Sequence, residues 1–192
     1  MATEFRSAIF DEPTAADGSE GRRPFKVAPT FVIDLAVSLA YVAAIIPHWI
    51  GSALIKRPFW PQVALAALIL VCYFAKVLVI THLDKGGGDA RTYVKSSDLV
   101  TSGPYAFSRH PTYTVAMVQF LLWSALALYL QAYEPFQPTL VGAAFGLPLV
   151  FFLINDWVVM PSEEAMLKRL HPDAYEAYAR RVRRWLGWKA TA

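Results

Sequence analysis

Phe59-Trp-Pro-Gln-Val-Ala-Leu-Ala-Ala-Leu-Ile-Leu-Val-Cys-Tyr-Phe-Ala-Lys-Val-Leu-Val-Ile80 runs for 22 residues and carries one charge, Lys76. A helix needs about 20 apolar residues to cross ~30 Å of hydrocarbon. It also closes its own backbone hydrogen bonds, which a bilayer demands because it offers no partners. Three more runs have this character: Phe31 to Ile50, Tyr113 to Leu130 and Pro138 to Met160. Together they predict an all-α polytopic membrane protein with about four transmembrane helices.

The rest of the chain agrees. Of its 192 residues, 56% are hydrophobic and 17% are charged, against about 25% charged in soluble domains. The runs are separated by a short turn with Lys56-Arg57-Pro58, a long polar loop from Thr81 to Pro111 containing Gly86-Gly87-Gly88, and a turn with Glu134-Pro135. Residues 1–27 are polar and mixed in charge, lack the apolar core of a signal peptide, and read as a flexible tail. Residues 28–192 read as one domain.

Lys and Arg set the orientation. The tail, the second loop and the C-terminal segment fall on one side of four crossings and hold 15 of the 18 basic residues. That side is expected to be cytoplasmic. The same rule accounts for the basic balance without nucleic acid. A single cysteine, Cys72, excludes an intrachain disulfide, and the four histidines lack the spacing of a zinc site. No metal is expected.

Asp34, Lys76 and Asp156 interrupt the spans, where ionisable groups are costly and mark function by default. Lys76 could snorkel to the interface, Asp34 lies near the start of its span, and Asp156 either lines a polar cavity or pairs structurally. Beyond the fourth span, residues 162–188 read as cytosolic amphipathic helices. Pro161 marks a helix start or kink, and Asp173 with Glu176 resembles a capping box. Tyr175, Tyr178, Val182 and Trp185 recur at helical spacing among Arg180, Arg181, Arg183 and Arg184, a pattern suited to an anionic membrane surface.

Two clusters hold more polar chemistry than a scaffold needs. The first, Leu99 to Tyr113, places Arg109 and His110 at the mouth of the third span behind turn-forming Gly103-Pro104 and His110-Pro111. The second is Glu163-Glu164 at the exit of the fourth span. Each also has a structural reading: Arg109 as a topology charge, Pro111 as a helix-starting proline, and the acids as partners of a helix dipole. Other chemistries are less well supported. No Gly-x-Ser-x-Gly elbow is present, and the glycine triplet ends with Arg91 where a dinucleotide fingerprint needs glycine.

Leu99-Val-Thr-Ser-Gly-Pro-Tyr105, Arg109-His110-Pro111-x-Tyr113, Glu163-Glu164-x-x-Leu167 and Tyr175-x-x-Tyr178-x-x-Arg181-Val182, in this order, resemble the isoprenylcysteine carboxyl methyltransferase and phospholipid methyltransferase family. The resemblance covers about the last half of the chain. It implies S-adenosylmethionine as cofactor and a lipophilic acceptor drawn from the membrane. By the same resemblance, Tyr105, His110, Pro111, Tyr113, Glu163 and Glu164 would form the cofactor site, and Arg109, Arg181 and the neighbouring Arg184 would serve acceptor and catalysis. The chain departs from the family at Val115, where glycine is frequent, at Val159, where arginine is common, and at Arg183, where many members have proline. Two other readings remain: a non-catalytic protein of the same fold, and a nicotinamide-dependent membrane reductase.

Overall fold

The computed structural model describes residues 29–51, 58–87 and 98–187. The tail over 1–27, the Lys56-Arg57 turn and Gly88 lie outside them. The described residues form six helices in sequence: α1 Pro29–Gly51, α2 Trp60–Lys85, α3 Pro111–Gln131, α4 Pro138–Ile154, α5 Met160–Leu170 and α6 Pro172–Arg181. A 3-10 turn, Gly103–Ala106, precedes α3, and a π-helical turn, Asn155–Val159, joins α4 to α5.

Three helical segments are long and apolar enough to cross a membrane: Trp60–Lys85, Pro111–Gln131 and the continuous Pro138–Leu170. Val32–His48 is a shorter apolar stretch within α1. The chain is therefore a polytopic helical membrane protein. At 1.5 Å per residue, Pro138 to Val159 already spans about 33 Å. Met160–Leu170, with both glutamates, thus projects beyond the hydrocarbon layer.

α3 is the central element. α2 and α4 pack on it from two sides, and α1 lies chiefly on α4 and also on α3. Tyr41, Ile45, Phe120, Leu126, Leu130, Leu140 and Phe151 are buried in the core. Ala143 and Ala144 let α4 approach closely, as small residues do between membrane helices. Phe120 meets Phe151 edge to face at 4.6 Å. Tyr41 reaches Ser124 at 2.8 Å, so its buried hydroxyl is satisfied within the bundle. Leu70, Phe74 and Leu78 on α2, by contrast, stay exposed, as residues facing lipid do.

The structure answers three expectations about the C-terminal half. First, Pro161 stands in the first turn of α5, as expected of a helix start, and the π turn joins that helix to α4 without a gap. The π turn just before it shifts the hydrogen-bond ladder by one residue, with Met160 N–H donating to Asn155 O. The next bond in that series would need the N–H that Pro161 lacks. The ladder is thus interrupted without a steric break. Second, Asp173 is not a helix cap. α6 begins at Pro172 with His171 in the capping position and no side-chain cap, because proline at the first helical position fixes the start one residue earlier. Third, helix does not continue to 188. Val182 is extended, and residues 182–187 turn back toward the third span. The Tyr175, Tyr178 and Val182 face is also not spent on lipid, since it is buried against Leu99 and Leu167.

Candidate functional site

The 3-10 turn sets the approach to α3. Gly103 adopts φ 58°, a left-handed conformation that favours glycine, and a Cβ there would stand 2.6 Å from the His82 ring. His82 in turn meets Ser102 O at 3.1 Å. This seats the turn on the end of α2.

The returning C-terminal segment then fixes the next residues. Arg109 N–H donates to Arg183 O at 3.0 Å, His110 N–H to Arg184 O at 3.3 Å, and Gly187 N–H to Phe107 O at 2.7 Å. Thr114 Oγ1 donates to Trp185 O at 2.6 Å. Tyr178 donates to Tyr105 O at 2.7 Å, binding α6 to the same loop. Arg109 and His110 are therefore held by backbone pairing and not by their side chains alone.

Around them three segments of sequence meet. His110 lies between the two acids, with Nδ1 3.2 Å from Glu163 and Nε2 3.1 Å from Glu164. Tyr113 donates to Glu163. Arg184 grips Glu164 with two bonds, Nε at 3.1 Å and Nη2 at 3.0 Å. Arg109 Nη1 lies 3.1 Å from Glu164 and 3.1 Å from the Tyr175 hydroxyl. Asp156 takes Arg184 Nη1 at 3.3 Å and Trp185 Nε1 at 3.0 Å. Three carboxylates thus face two guanidiniums and one imidazole.

With both ring nitrogens on carboxylates, His110 is placed to donate from each, as only the imidazolium can. Burial opposes that charge, but hydrogen bonds and proximity to Glu163 and Glu164 outweigh it and raise the pKa above the ordinary 6.5. Burial likewise opposes a charged Glu164. His110, Arg184 and Arg109 prevail, and its pKa is held at about 2. Burial, reinforced by Glu164, pushes the Tyr175 phenol up to about 12, so it stays neutral while accepting from Arg109.

Of the residues singled out in the sequence, Arg109, His110, Tyr113, Glu163, Glu164 and Arg184 come together. Pro111 is buried as the first residue of α3. Tyr105 is buried in the adjoining loop, its hydroxyl turned to Thr112. Arg181 is exposed at the end of α6, and Arg184, three residues on, is the one joined to Glu164. Asp156, Tyr175 and Trp185 were missed as members of the site. For Asp156 a signal existed, an acid inside an apolar span. Its partner could not be read, because the π turn that aims it leaves no pattern in the sequence. Among the described residues no cluster suited to a metal ion is present.

These features define a helical membrane protein with a charge-balanced polar centre at one end of its bundle. The chain belongs to the family described as Protein of unknown function (DUF1295), whose pattern it matches over residues 47–182. That stretch takes in Arg109, His110, Glu163 and Glu164 and stops short of Arg184. No curated protein and no solved structure matches the chain.

Proposed function

We propose that this protein transfers a methyl group from S-adenosylmethionine to a lipophilic acceptor, with O-methylation of an isoprenylcysteine-type carboxylate favoured. The proposal places the site, both termini and the second loop at the cytoplasmic face, where the basic residues concentrate. The observation that carries the reading is the meeting of Arg109-His110, Tyr113, Glu163-Glu164 and Arg184 in one cluster.

The donor set suits the cofactor's zwitterionic end. Glu163 and Glu164 are the acids to hold its ammonium, and Arg109 or Arg184 can grip a carboxylate by paired hydrogen bonds. When bound, S-adenosylmethionine supplies an electrophilic methyl on a sulfonium. The protein's part is then chiefly alignment, which can lower a barrier by up to about 11 kcal/mol in favourable cases. His110 bears on the choice of acceptor. With both ring nitrogens engaged by Glu163 and Glu164, it is poorly placed to take a proton from an acceptor. An amine or phenol acceptor needs a base for that, whereas a carboxylate arrives ionised and needs none. Arg109, kept in place by Tyr175 and Glu164, is the residue to steady that carboxylate.

The test is calorimetry on the detergent-purified protein with S-adenosylmethionine and, separately, a nicotinamide dinucleotide. Saturable binding of the first alone is expected. Glu163→Gln and His110→Ala should each weaken it about tenfold or more, the usual scale for losing a charge-assisted hydrogen bond. Unchanged affinity in both folded variants would remove the site assignment, and binding of the dinucleotide instead would make the protein a reductase.

A further inference from the structure

Two cations outside the site are already spent. Lys76 on α2 pairs with Asp34 on α1 at 2.6 Å within the bundle, and Lys168 on α5 pairs with Glu176 on α6 at 2.8 Å. Arg181 and Arg183, by contrast, are exposed and have no ion-pair partner among the described residues. Between them Val182 is extended and buried. Side chains alternate along extended backbone, so the two arginines stand on the side that Val182 turns away from. Arg183 is also fixed from both directions. Its N–H donates to Gly187 O at 3.0 Å, and its carbonyl accepts from Arg109 N–H at 3.0 Å.

The fourth span sets the level of this pair against the bilayer. Trp157 is 69% exposed and lies about 30 Å along the helical segment that begins at Pro138. That is one edge of the hydrocarbon layer, where tryptophan is enriched. Trp185 is tied to the same level: its Nε1 donates to Asp156 at 3.0 Å, and its ring stacks on Phe152 at 5.3 Å. The returning segment therefore lies along the membrane edge. Leu186 in it is 65% exposed. Phe107, whose carbonyl accepts from Gly187 N–H, is exposed beside it. Two exposed apolar side chains next to two unclaimed guanidiniums, where acyl chains give way to phosphates, match the two parts of one lipid.

We infer that Arg181 and Arg183, with Phe107 and Leu186, form a binding surface for the headgroup of an anionic phospholipid. The apolar pair enters the upper acyl region, and the guanidiniums meet the phosphate, which their planar fork suits. Charge selects an anionic lipid over a zwitterionic one, because the two cations lack counter-charges of their own. The lipid contact thus falls on Phe107 and Leu186 and not on the Tyr175 to Val182 stripe, which is buried. The same segment carries Arg184 to Glu164, so a bound headgroup would steady the outer cluster. The inference does not depend on the methyl donor.

The test is photolabelling of the full chain in phosphatidylcholine nanodiscs. One sample holds a trace of phosphatidylglycerol with a diazirine near the glycerol end of its acyl chain, and a parallel one holds phosphatidylcholine with the same diazirine. The anionic probe should label peptides bearing Phe107 and Leu186 about fivefold or more over the zwitterionic probe, the scale of one or two basic groups at a charged surface. Both should label α2 around Val77 and Leu78 alike. Arg183→Gln should lower the preference about fivefold. Arg169→Gln removes the same charge about 18 Å farther along the helix than Trp157 and should leave the preference unchanged. Thermal midpoints check that both variants are folded. Soluble glycerol 3-phosphate should not compete, because it lacks the chains that Phe107 and Leu186 would hold. Equal labelling by the two probes at Phe107 and Leu186, an undiminished preference in folded Arg183→Gln, an equal loss in Arg169→Gln, or full competition by the soluble phosphate would each overturn the inference.

Discussion

The two polar clusters of this protein solve the same problem in opposite ways. At the end of the bundle, Glu164 is shared by His110, Arg109 and Arg184, and Arg184 is shared by Glu164 and Asp156. Within the bundle, Lys76 and Asp34 have one ionic partner each. The first arrangement is redundant, and the second is not. Redundancy lets one contact be exchanged for another, which a site must do when a charged molecule enters. A solitary pair in hydrocarbon has no such freedom, because loss of either member strands the other charge.

The sharpest way to break this contrast is to strand a charge in each cluster. Lys76→Met leaves the Asp34 carboxylate without its cation in the apolar layer. It should cost about 3–5 kcal/mol, the range for removing one partner of a buried ion pair. Adding Asp34→Asn should recover most of that loss. Denaturant unfolding in mixed micelles would measure both, and a single variant as stable as the wild type would show that the pair is solvated. Glu164→Gln should cost less, about 1–3 kcal/mol, because a neutral amide still accepts from Arg184 while Asp156 retains it. Asp156→Asn should cost less again, since Glu164 keeps both bonds to Arg184. Reversal of the order Lys76, Glu164, Asp156 would contradict the redundancy argument.

Acidity gives a subtler probe. The folded-state pKa of His110 is raised, so the folded protein holds this proton more tightly than the unfolded chain does. Its contribution to stability is therefore complete below the ordinary value of 6.5 and is lost as pH rises through the elevated pKa. Glu164 behaves in the opposite sense. Its contribution is present above the ordinary 4.5 and fades as pH falls toward about 2. The wild type should thus lose more stability than His110→Gln does as pH rises above 6.5. Thermal midpoints of both across that range would show it, and parallel curves would mean that folding leaves the His110 pKa unchanged.

Much of the fold was legible because the bilayer imposes a rule that needs no tertiary knowledge: long apolar runs become helices. The runs ending at Ile80 and Leu130 are found as helices ending at Lys85 and Gln131. The site was partly legible because Arg109, His110, Glu163 and Glu164 are too polar for the places where they stand. What could not be read depends on one register shift and one chain reversal. The π turn lets Met160 bond Asn155 and leaves Asp156 O without the N–H that Pro161 cannot supply. Arg184 Nη1 reaches that carbonyl at 3.5 Å as well as the Asp156 carboxylate. The proline at the start of α5 thereby frees an acceptor for the site. The chain leaves the helix at extended Val182, and the turn closed by Arg183 N–H on Gly187 O holds Trp185 beside Asp156, where continued helix would have carried it away.

The smallest effect tests that register directly. If Asp173 capped α6, Asp173→Ala would cost about 1 kcal/mol through the lost bond to the helix N-terminus. In the structure His171 occupies the capping position and Asp173 lies within the first turn. There it contributes only a favourable charge near the helix dipole, worth a few tenths of a kcal/mol when exposed and screened by salt. Asp173→Ala should accordingly shift stability by less than about 0.5 kcal/mol, and the shift should shrink further in high salt. A loss near 1 kcal/mol that persists in salt would place the helix start at Asp173. It would also loosen the path by which α6 presents Tyr175 to Arg109, and with it the redundancy that separates the outer cluster from the inner one.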